Sequence, residues 1–167
     1  MFPVQQQPQH PAFQNLDQAS RAMTIIASSL IAGVVAFGAF ATLNRPDQPQ
    51  TSMMTMVLIA MVVMEAGAFV IAPGLMVRKA IAELDHEGED DESLKLKLAG
   101  IFQTRMIIRM ALCEGAAFFA CIVWMIEGNY IALGILLGLV LIQLILFPTR
   151  NTLENWIDEQ LNLIRAV

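Results

Sequence analysis

Charge is scarce in this chain: 15 % of residues are Asp, Glu, Lys or Arg, against about 25 % in an average soluble domain. With 56 % hydrophobic residues and a mean hydropathy of +0.59, the composition sets aside an ordinary water-soluble enzyme domain. Cysteine is nearly absent. Cys113 and Cys121 stand eight residues apart, about 12 Å along a helix, which excludes a bridge between them and leaves them as small apolar side chains. Histidine is limited to His10 and His86, with no second histidine at ligand spacing, so no zinc site is expected. The basic residues are scattered and have no aromatic platform beside them, which argues against nucleic acid. No phosphate-binding glycine loop, haem motif or nucleophile–base pair is found. Met61-x-x-Met64 and Met106-x-x-x-Met110 have the spacing of thioether copper sites, but packing methionine is the ordinary reading. The Asp85–Glu92 run lacks the alternating oxygen ligands and central glycine of a calcium loop. No metal and no cofactor is expected, and no catalytic residue.

The chain is rich in long apolar runs. Segments 22–43, 53–77, 106–126 and 130–147 each approach the roughly 20 residues that a helix needs to cross about 30 Å of hydrocarbon. The expected fold is all-α: a polytopic membrane protein with four transmembrane helices in two hairpins, flanked by interfacial amphipathic helices. Residues 1–20, rich in Gln and Pro, form an N-terminal segment expected to be disordered, with a short interfacial helix from Pro11 onward. Residues 21–148 form the membrane domain, with loop 78–105 between its halves, and 149–167 an amphipathic helix. Ala39-Phe40-Ala41 looks like a signal cleavage site, yet the polar stretch before the first span carries only Arg21, so cleavage is not expected. Arg78, Lys79, Lys95, Lys97 and Arg105 flank the central loop, and Arg21 and Arg150 the two ends. The turn Glu127-Gly128-Asn129 has no basic residue. That asymmetry places both termini and the central loop in the cytoplasm.

Proline and polar residues divide the flanks. Gly74–Leu84 reads as an amphipathic continuation of span two beyond Pro73. Asp91 or Ser93 is expected to cap a helix that runs into span three. In the C-terminal segment Leu153, Trp156, Ile157, Leu161 and Ile164 mark one apolar face, expected to lie in the membrane interface with Trp156 at headgroup level. Ile25, Ile26, Leu30, Gly33 and Phe37 match Ile107, Ile108, Leu112, Gly115 and Phe119 at identical spacing, the mark of a parallel internal repeat.

Each apolar half contains a glutamate followed by small residues and phenylalanine: Glu65-Ala-Gly-Ala-Phe and Glu114-Gly-Ala-Ala-Phe. An ionised carboxylate at mid-membrane costs roughly 2.5–3.5 kcal/mol, so two of them must pair, protonate or act. Helical rise puts Glu65 and Glu114 roughly 12–13 Å from the basic end of their spans, Ser28 and Ser29 near 10–12 Å, and Gln143 near 8 Å. All four helices thus offer a polar group at one level, the candidate intramembrane site. Arg109 enters the same layer and is expected to pair with Glu65 or to snorkel towards headgroups. Gly67, Gly115, Gly134 and Gly138 are candidate helix-packing positions.

The run Ile107-Ile108-Arg109-Met110-Ala111-Leu112-Cys113-Glu114-Gly115-Ala116-Ala117-Phe118, with Gly128-Asn129 and Phe147-Pro148-Thr149-Arg150, resembles a group of short uncharacterised bacterial four-helix membrane proteins. The likeness covers mainly the second half and implies the same topology and an inner-membrane setting, with no activity to carry over. Glu65 and Glu114 also invite comparison with rotary ATPase proteolipid subunits. Span one lacks their dense glycine repeat, however, and the turn 44–51 lacks their polar-loop signature. The leading expectation is a non-enzymatic structural or accessory subunit with a buried polar network, partnered by the lipid bilayer and by itself or another membrane protein. The alternative is a proton- or cation-translocating component using the paired glutamates.

Overall fold

The computed structural model describes residues 15–48, 53–84 and 90–165. The expectations for the N-terminal tail, His10, His86 and the middle of the acidic run fall outside them. Five helices follow in order: α1 (Leu16–Leu43), α2 (Met53–Ala82), α3 (Asp91–Glu127), α4 (Tyr130–Ile145) and α5 (Arg150–Arg165). α1, α2 and α3 are each long and apolar enough to cross a membrane. α4 has 16 residues, about 24 Å of rise, and falls short of the expected span 130–147 by itself.

Local chemistry explains the boundaries. Asn15 caps α1, its side chain accepting from the Gln18 N–H at 2.8 Å. The amphipathic entry expected before span one is therefore the first turns of a single helix. α2 runs through Pro73 without ending there, so the expected amphipathic continuation and the span are one rod. Asp90 occupies the N-cap of α3 without a side-chain cap bond, one residue before the expected cap. α3 ends at Gly128, whose φ of +60° suits a residue without a Cβ. Asn129 then caps α4 by accepting from Ile131 N–H at 3.0 Å.

The central element is α3. α1, α2, α4 and α5 all pack against it, whereas no described Cα atom of α1 comes within 8 Å of one in α2. This corrects the expectation of two hairpins: the first two helices are consecutive but stand apart on α3. The physical reason lies in α3 itself, where Ala116, Ala117, Ala120 and Cys121 are buried and allow close approach, while α2 buries little beyond Thr55, Leu58 and Pro73. One apolar core, at the basic end, joins Met23 and Ala27 of α1 to Leu98, Phe102 and Met106 of α3 and to α5. The other, towards the turns, joins Val34 and Ala41 to Ala116, Ala120, Trp124 and Leu136.

α5 departs from expectation in an informative way. It bends 66° from α4, and its apolar face, Leu153, Trp156, Ile157 and Leu161, is buried against protein. Trp156 packs on Phe102 with ring centroids 5.3 Å apart. The amphipathic pattern was correct, but its partner is α3 and α1 in place of lipid. Arg150 at the start of α5 pairs with Asp17 of α1 at 2.7 Å, and Arg165 at its end with Asp91 of α3 at 2.8 Å.

Candidate functional site

Glu114 of α3 and Glu65 of α2 stand at one level, since the Glu65 carboxyl meets Gly115, but in different seams. The Glu114 carboxyl lies against Gly33 of α1, with Oε1 4.0 Å from where a Cβ would stand. The Glu65 carboxyl reaches from α2 to Gly115 of α3, 3.9 Å from the equivalent point. Gly33 and Gly115 are the matched glycines of the sequence repeat, so each accepts a carboxyl from another helix. Both glutamates are half-buried.

No hydrogen bond or ion pair among the described residues joins Glu65, Glu114, Arg109, Gln143, Ser28 and Ser29. The expected shared network is therefore not formed. Ser28 and Ser29 are exposed, and the Ser29 hydroxyl donates to its own helix at Ile25 O, 2.9 Å away. They lie on an outward face of α1, because position along a helix says nothing of its rotation. α2 and α3 are neighbours, as the Arg109–Glu65 pair required. The guanidinium instead lies over the Phe69 ring, 5.2 Å from its centroid, one turn from Glu65 towards the basic end. Snorkelling along α2 and a cation–π contact replace the ion pair.

Among the described residues, four buried side-chain polar atoms have no hydrogen-bond partner: Glu65 Oε2, Arg109 Nε and both amide atoms of Gln143. Gln143 is fully buried. All three residues belong to the layer expected from the sequence. Buried polar groups are nearly always satisfied, so three such residues within about one helical turn of each other single out that layer.

Of the packing glycines, only Gly115 meets another helix. Nothing lies within 4 Å of a Cβ at Gly67, Gly134 or Gly138. α4 faces inward with Ala132, Leu136, Leu139 and Gln143, which turns Gly134 and Gly138 outward.

A second polar cluster, at the turn end, escaped the sequence reading. Glu127 and Thr55 are each 2 % exposed. The Thr55 hydroxyl donates to Glu127 Oε2 at 2.5 Å, and Asn129 Nδ2 donates to Thr55 Oγ1 at 3.3 Å. Beside it, Trp124 Nε1 donates to Thr42 Oγ1 at 3.2 Å, and Arg45 stacks over the Trp124 ring at 4.9 Å. The sequence reading places Glu127 only in the turn that carries no basic residue and assigns it no partner. The available signal was a carboxylate and an amide flanking a glycine, opposite a threonine at the start of α2.

Cys113 and Cys121 are buried free thiols. Among the described residues no group of three or more His, Cys, Asp or Glu is arranged to hold a metal ion. Compared with family models, curated proteins and solved structures, the chain matches none.

Proposed function

We propose that the chain is a non-enzymatic accessory or structural subunit of a bacterial inner membrane. In this reading it crosses the bilayer four times, α4 and the bend into α5 completing the fourth crossing, with both termini cytoplasmic. The observation that carries the reading is the exposure of α2. Only 11 % of its apolar window is buried within the chain, and Val63, Met64, Val70, Ile71 and Leu75 all point outward. A helix held to its own protein along a narrow edge offers the rest of its surface to lipid or to another membrane protein. The outward Gly134 and Gly138 of α4 favour self-association through close helix approach. Light scattering of the purified protein, corrected for detergent, tests this. A mass well above the 18.4 kDa chain is expected, and a strict monomer would sink the subunit reading.

The level placement of Glu65 and Glu114 favours a second reading, proton or cation translocation. In proteoliposomes the wild type would then carry a pH-driven flux that Glu65→Gln with Glu114→Gln abolishes. Absence of flux in the wild type removes this reading.

A further inference from the structure

We propose that the seam of α3 with α4 holds one anionic membrane lipid, its phosphate between Arg105 and Arg109 and one acyl chain beside Glu65. The inference rests on the membrane reading above and goes beyond the subunit role.

Two cavities follow one another along this seam. The first, of 210 Å³, lies at the basic end under the α4–α5 bend, lined by Arg105, Arg109, Phe102, Phe147, Thr152 and Trp156 among others. The second, of 240 Å³, lies one turn further along both α3 and α4, where α2 closes its side. Val62, Phe69, Val70, Leu112, Leu139 and Ile142 line it, with Glu65 and Cys113 among them. Arg109 connects the two, since it lines the first cavity and lies over Phe69, which lines the second.

The charges favour an anion in the first cavity. Arg105 and Arg109 are one turn apart on α3, where like charges repel. Neither makes an ion pair among the described residues, and Arg109 Nε is buried without a hydrogen-bond partner. Arg105 leans over Trp156 at 5.8 Å. Glu159 of α5 lies within electrostatic reach of Arg105 and offsets part of its charge, which leaves Arg109 as the stronger anchor. A basic pocket between helices at the cytoplasmic surface is the setting in which anionic headgroups are held. The adjoining apolar cavity commits the occupant to a lipid, because a free phosphate would leave it unused. Glu65 lines the second cavity, on its α2 side, and not the first.

Native mass spectrometry of the detergent-purified full chain decides the matter. The protein is titrated with dioleoyl phosphatidylglycerol, dioleoyl phosphatidylcholine and inorganic phosphate. Phosphatidylglycerol is expected to be retained in preference to phosphatidylcholine, with a loss of roughly fivefold for each guanidinium removed in Arg105→Gln and Arg109→Gln. Ile142→Trp fills the chain cavity and leaves both guanidiniums in place. It should weaken lipid retention by itself, and it decides the question if the arginine variants fail to fold. Equal retention of the two lipids, or unchanged retention in Ile142→Trp, overturns the proposal. Inorganic phosphate bound as tightly as the lipid overturns the acyl-chain half. Recovery of the chain from the soluble fraction would sink the membrane reading itself, whereas an inserted chain without lipid preference sinks only this site.

Discussion

Two polar clusters occupy this bundle, and they are built on opposite terms. At the turn end, Thr55, Glu127 and Asn129 are buried and bonded to one another, and Asn129 also caps α4. In the middle layer, Glu65, Arg109 and Gln143 keep buried polar atoms without partners. A satisfied cluster fixes the relative position of the helices that share it, here the start of α2 and the α3–α4 turn. The middle layer joins its helices through looser contacts, Arg109 over the Phe69 ring and Glu65 against Gly115, and its unpaired polar atoms cost desolvation. The comparison teaches that a carboxylate's place along a helix is a weaker guide than what surrounds it. Glu127, at the edge of a span, is better buried than either glutamate in the middle of one.

The contrast is open to mutation. Glu127→Ala removes the buried oxygen that accepts from the Thr55 hydroxyl. A loss of roughly 2–3 kcal/mol is expected, measured as a fall in the denaturant midpoint of the detergent-solubilised protein. An unchanged midpoint would break the distinction between the two clusters. Gly128→Ala attacks the same end through the backbone. It forces a Cβ into the left-handed region and within 3.2 Å of Pro46 O, and should cost about 1–2 kcal/mol by the same assay. Gln143→Leu runs the other way. It replaces an unpartnered buried amide with an apolar group of similar size and should raise stability by about 1 kcal/mol. Destabilisation of that variant would mean that the amide is bonded after all. Asp17→Asn sets the floor of the scale. Its ion pair with Arg150 is more than half exposed on both sides, and its removal should change stability by less than about 1 kcal/mol. A larger change would show that the α1–α5 contact does more than a surface pair can.

The helices themselves were legible. The apolar runs and the amphipathic stripe of α5 follow from residue type and local spacing. The level agreement of Glu65 with Glu114 was legible too, because helical rise is constant. What failed was rotation and partnership. Ser28 and Ser29 lay on an outward face of α1, Arg109 turned to Phe69, and Gly134 and Gly138 faced outward.

By itself, then, the sequence determined which segments are helical and how far along its helix each polar group stands, since these depend on bonds and spacings within one segment, although 78–105, expected as a loop, holds the end of α2 and the first turns of α3. The tertiary structure alone decided that α3 is the shared core, that α1 and α2 stay apart on it, and that Glu127 is buried while Gln143 lacks a partner. Such facts depend on which faces of separate helices meet. In a chain so uniformly apolar, many faces are nearly alike, and the choice falls to the close fit of small residues such as Ala116, Ala117 and Ala120, which local pattern does not reveal.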